Sequence, residues 1–166
     1  MRSQALWVWG IAAVAVLVWT LFIVVPPILI ENGLQNIAAP IYTFFSYICH
    51  QRPERSFHIF SHQFAVCSRC FGVYFGLLLG VAVYPLWRSI DNVEPLPRFW
   101  LILSVIPIAV DWSLGVSGIW ENNHLSRFVT GLILGFGCAV FIVPALVEIV
   151  KNVSKSDAFR RSNANG

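Results

Sequence analysis

The sequence is short of charge: 11% of its 166 residues are Asp, Glu, Lys or Arg, against 57% hydrophobic and a mean hydropathy of +0.71. That is too little polarity to cover a soluble domain of this length, so a water-exposed globular protein is excluded. The net charge of +3 is scattered, with no basic stripe and no nucleic-acid module, which leaves DNA and RNA no surface to bind. Nor does a cleavage site follow the first apolar run, as it would in a secretory leader; the run leads into Val24-Val25-Pro26-Pro27. Cysteine and histidine are scarce, four of each, and unevenly placed, since three of each fall between Cys49 and Cys70. What is abundant is apolar and aromatic, with seven Trp and thirteen Phe suited to a small membrane bundle. The lipid bilayer is the partner this composition demands.

Leu6 to Val25 carries no charged side chain over about twenty residues, the length an α-helix needs to cross roughly 30 Å of hydrocarbon. It reads as a retained first span over about 6–27, ended by the proline pair, because proline lacks an amide donor and restrains its predecessor. Ile37 to Cys49 is apolar but only about thirteen residues long and interrupted by Pro40, too short to cross, so a re-entrant or interfacial helix is expected. A second span is expected over about 65–87, where Gly72, Gly76 and Gly80 recur every fourth residue as a packing seam. A third follows over about 99–118, with Pro107 inside it, and a fourth over about 125–150, with Gly131 and Gly135 at another close-packing spacing. Arg88 to Arg98, with Pro95 and Pro97, and Trp120 to His124, with Glu121, read as loops. The fold class is therefore all-α, an integral membrane bundle of four transmembrane helices with one short re-entrant or interfacial helix before the second span. One domain covers residues 1–150, and a polar, frayed tail covers 151–166.

Four spans put both termini on one side. Arg2, Arg88, Arg98, Lys151, Lys155, Arg160 and Arg161 lie there, against Arg52, Arg55, Arg69 and Arg127 opposite. The positive-inside rule then makes the protein a multi-pass cell-membrane protein with cytoplasmic termini, its Cys/His stretch on the outer face. Whatever the orientation, all four histidines, Cys49, Cys67 and Cys70 share one side.

That stretch can do one of three things. Cys67 and Cys70 have the spacing that lets two thiolates reach one tetrahedral ion; Cys49 is a third ligand and His62 a fourth, with His50 in reserve. Zinc suits this set, Arg52, Arg55 and Arg69 offset the thiolate charge, and with three protein ligands a fourth position is left for water, with Glu54 or Asp111 as its base. Alternatively, Cys67 and Cys70 at a helix start beside Arg69 are placed for thiol–disulfide exchange, with a quinone-like electron acceptor. The outline then resembles the quinone-coupled disulfide-forming proteins and vitamin K epoxide reductases, although Cys49 is left odd. Thirdly, the pair is a structural disulfide and the arginines contact headgroups, in a non-catalytic structural or partner-binding membrane protein. His58 and His124 read as polar anchors, and Cys138 as a small buried residue.

Asp111 stands inside the third span, where a carboxylate is unfavourable unless it finds a partner. Arg127, opening the fourth span on the same side, is the expected cation, with Thr130 one turn along the same face. The pair either lines the floor of an outer cavity, as catalytic groups with Glu54, or simply joins the third and fourth helices.

Cys49-His50-Gln51, Pro53-Glu54-Arg55-Ser56, Cys67-Ser68-Arg69-Cys70-Phe71-Gly72-Val73-Tyr74, then Asp111 and Arg127 with Thr130-Gly131, together resemble a family of small membrane proteins designated DUF2085, a domain of unknown function. The resemblance covers roughly Ile41 to Gly137 and implies a membrane location without an activity or substrate, so the chemistry rests on the residues themselves.

Overall fold

The computed structural model describes residues 2–92, 94, 96–120 and 122–164. In chain order these form α1 (Arg2–Glu31), α2 (Gln35–Ser46), a 3-10 turn (Pro53–Arg55), β1 (His58–Ile59), β2 (His62–Gln63), α3 (Ser68–Trp87), α4 (Phe99–Val116) and α5 (His124–Ala164). The helices α1, α3, α4 and α5 are each long and apolar enough to cross a membrane. Their abundant exposed Leu, Ile, Val, Phe and Trp side chains are what a lipid-facing surface requires. The all-α four-span bundle expected from the sequence is therefore the architecture, and α2, at 12 residues too short to cross, precedes the second span.

Two boundaries differ from the sequence reading. The first helix does not stop at the proline pair but continues through Pro26 and Pro27 to Glu31. Pro27 removes the amide that would have bonded the Ile23 carbonyl one turn back, and that carbonyl instead accepts the Ala65 amide at 3.1 Å. Pro85 in α3 does the same: the freed Val81 carbonyl accepts the indole N–H of Trp9 in α1 at 2.7 Å. In both cases an outside donor satisfies the orphaned acceptor, which is how prolines are tolerated inside membrane helices. The last helix likewise does not end near Val150 but runs to Ala164, because no Gly or Pro follows Pro144 within it to break it. Pro95 and Glu121, assigned by sequence to loops, lie outside the described residues.

The most extensive packing is between α3 and α5. A Cβ on Gly72 would run into the Phe128 carbonyl and one on Gly76 into the Leu132 carbonyl. From the other side, Gly131 meets the Arg69 carbonyl and Gly135 that of Val73. The two glycine stripes thus face each other, and the backbones touch where side chains would keep them apart. Next to this seam α3 also packs against α1, which touches α5 as well, and α2 lies on α1, while α4 leans on α5 and leaves most of its surface to lipid.

Candidate functional site

The end of the bundle where α1 finishes and α3 begins is built from short, tightly tied pieces. Between β1 and β2 the turn residues Phe60 and Ser61 both have positive φ, 51° and 65°, which closes a two-residue hairpin of the twist strands prefer. Gln51 is also left-handed, at φ 46°. Its side-chain amide donates at 2.8 Å to both the Tyr42 and Ala65 carbonyls, and these bonds hold a backbone conformation that a long side chain rarely adopts. Tyr42 donates its hydroxyl to the Gln63 carbonyl, fastening the hairpin to α2. Ile23, Phe45, Phe64, Ala65 and Val66 form a buried apolar cluster here, and Cys49 is part of it.

Within that cluster three thiols converge. Cys49 follows α2, Cys67 is the N-cap of α3, and Cys70 lies in the helix's first turn. Their sulfurs all lie within 4.8 Å of one another, with Cys67 Sγ 3.4 Å from Cys70 Sγ. The Cys67 amide donates to Cys49 Sγ at 3.2 Å. No disulfide joins the four cysteines. A tetrahedral zinc with Zn–S bonds of about 2.3 Å sets sulfurs about 3.8 Å apart, so the trio is on the scale of one face of such a site. Hydrogen bonding from Cys49 first, and then from Cys70, holds the Cys67 thiol well below its usual range, with burial working in the opposite direction.

The remaining candidates gather elsewhere. His62 is not folded back over the helix start: on β2 its Nε2 lies 3.6 Å from a Glu31 carboxylate oxygen, because the tight hairpin turns it toward the end of α1. His50 is exposed, and among the described residues neither histidine joins the thiols. Asp111 is buried as expected, but its partner is Arg69, which donates to the Asp111 carboxylate, and not Arg127. Depth does not separate the two cations, since Arg69 and Arg127 both lie in the first turn of their helices and Asp111 is about 7.5 Å from the end of antiparallel α4; direction around the axis does, and it is Arg69 that meets the carboxylate. The Arg69 guanidinium is thus engaged by Asp111, and Arg52 lies 4.0 Å from Glu54. Arg127, Glu54, Arg55 and Arg69 instead line a separate cavity of about 550 Å³ with Trp112, Trp120 and Asn122.

Sequence reasoning missed Ser68 and gave His124 only an anchoring role. The Ser68 hydroxyl donates to the Arg55 carbonyl at 2.9 Å and lies 3.0 Å from His124 Nδ1. The hydroxyl has one proton, so the imidazole donates from Nδ1, and the three residues lock the 3-10 turn onto the starts of α3 and α5. Ser68 falls inside the Cys-x-x-Cys spacing, and the sequence carried no other signal of its role.

Fold and site together define a multi-pass α-helical membrane protein with a clustered-thiol centre at one end of its bundle. The sequence pattern of the family described as "Predicted membrane protein (DUF2085)" matches residues 49–141, more than half of the chain, and the protein belongs to that family. Its relatives include an uncharacterized protein of Methanocaldococcus jannaschii, 40% identical over 120 residues that make up 72% of this chain and 77% of the relative. Another, from Methanothermobacter thermautotrophicus, is 42% identical over 111 residues, 66% of this chain and 92% of the relative. No solved structure matches the chain.

Proposed function

We propose that Cys49, Cys67 and Cys70 hold a single metal ion, most suitably zinc, in a membrane-embedded centre on the outer face. The convergence of three sulfurs within 4.8 Å carries this reading, since thiols scattered along a chain gain nothing by meeting unless something joins them. Thiolates are favoured there by the start of α3, whose unpaired amides carry partial positive charge, and by the bond from the Cys67 amide to Cys49 Sγ. Three protein thiolates leave one coordination position, the arrangement of sites that bind an exogenous ligand. Asp111 is engaged by Arg69 and Glu54 lies at the arginine cavity, so neither is placed with the thiols as a base. The outer-face assignment rests on the seven cations of the terminal side against four on the other.

A second reading has one observation in its favour. An apolar cavity of about 420 Å³ between α1 and α2 is lined by Trp19 and Phe45, which also pack around the thiols. A quinone bound there would accept two electrons and two protons as Cys67 and Cys70 form a disulfide.

Zinc analysis and thiol counting on detergent-purified protein separate the two. The metal reading expects about one zinc per chain, lost in Cys49→Ser and in Cys67→Ser but kept in His62→Ala, since the hairpin holds His62 against Glu31. Metal-free protein with a stoichiometric Cys67–Cys70 disulfide would replace it with the redox reading.

A further inference from the structure

The arginine cavity is built from five parts of the chain. Arg55 comes from the 3-10 turn, Arg69 from the start of α3 and Arg127 from the start of α5, while Trp112 in α4 and Trp120 in the following loop contribute aromatic walls. Among the described residues three cations thus face one lining carboxylate, Glu54, which lies within 4.0 Å of Arg52. Among the described residues neither Arg55 nor Arg127 meets a carboxylate. Asp111, beneath the cavity, is already bonded to one amino group of Arg69, and its backbone carbonyl is taken by the Asn122 side chain. Arg69 Nε is buried and has no partner among the described residues. Like charges are gathered here at a cost, and a buried donor is left open, in a frame that Ser68 and His124 hold in place.

We propose that this cavity binds the phosphate group of an anionic ligand. A phosphate offers several oxygens to guanidinium groups approaching from different directions, each able to make paired charge-assisted bonds. The cavity lies at the end of the bundle with two tryptophans in its walls, a residue type enriched where the bilayer meets water and lipid headgroups sit. Two sources share this chemistry, a phospholipid headgroup and a soluble phosphate ester.

The test follows the melting midpoint of the full-length protein. In neutral detergent, sodium phosphate and glycerol 3-phosphate are titrated against chloride at matched ionic strength. In nanodiscs, phosphatidylcholine is compared with phosphatidylcholine containing phosphatidylglycerol. A saturable rise with phosphate or its glycerol ester identifies a soluble ligand, and a rise only with phosphatidylglycerol identifies the lipid; either supports the proposal. Arg127→Gln should weaken half-saturation about tenfold or more. Arg55→Gln removes an exposed side chain, so it leaves the fold intact and should show the same loss even if Arg127→Gln folds poorly. Zinc content unchanged in Arg55→Gln keeps this result separate from the thiol centre. No rise beyond chloride and phosphatidylcholine, or a wild-type response in Arg55→Gln, would overturn it.

Discussion

Asp111 and Arg69 are each dependent on the other. With 8% of the Asp111 side chain and 22% of the Arg69 side chain exposed, removing either partner strands a charge in a poorly solvated place, whereas replacing both strands none. Asp111→Asn or Arg69→Gln should each cost about 3–5 kcal/mol of stability in detergent, and the double variant should recover most of it. Adding Arg127→Gln to Asp111→Asn should recover nothing. Rescue by Arg127→Gln instead would return the pairing to the one expected from sequence. That expectation had the right residue and the wrong partner, and the cause is physical: Arg69 and Arg127 both open helices at the same end, and sequence records their depth but not their direction around the axis. The cysteines were more legible, because Cys67 and Cys70 are joined by one helical turn. His62 was not, since a two-residue change of chain direction at Phe60 and Ser61 decides which way it faces.

At the level of elements, length and apolar runs were enough to locate four spans, and glycine spacing was enough to name the seam. The prolines were misread at Pro26 and Pro27 because their effect depends on donors from elsewhere, the Ala65 amide for one helix and the Trp9 indole for another. Nothing local to a proline announces such a donor. The seam itself makes a sharp contrast available. Gly76→Ala would drive a Cβ into the Leu132 carbonyl, whose backbone cannot yield without moving α5, while Gly10→Ala meets nothing within 4 Å. Gly76→Ala should lower stability by about 1–3 kcal/mol, as overpacking of a close contact does. Gly10→Ala should leave it unchanged or raise it slightly, since alanine is the better helix former. Equal melting midpoints for the two variants would mean that α3 and α5 do not meet along these glycines.

In the whole molecule, four spans of alternating direction bring the end of α1, the start of α3, the end of α4 and the start of α5 to one surface. The Ala65–Ile23, Arg69–Asp111 and Ser68–His124 contacts all lie at that end. The thiols and the arginine cavity are consequently neighbours on different faces of the first turn of α3, where successive residues turn by about 100°, with Cys67 and Cys70 packed in the cluster with α1 residues and Arg69 meeting Asp111 of α4. The proposed outer-face placement of this end rests on the seven-to-four division of cations. Two markers at opposite ends test it together: green fluorescent protein fused after Gly166, and an epitope inserted after Ser61 at the exposed hairpin tip. The fusion should fluoresce, as a cytoplasmic terminus allows, and antibody should reach the epitope in intact cells. Epitope exposure only in inverted vesicles, with a non-fluorescent fusion, would reverse the orientation and leave the convergence of the site untouched. Both markers on the same side would instead require an odd number of crossings between Ser61 and the C-terminus to be abandoned, and with it the pairing of α3, α4 and α5 that assembles the arginine cavity.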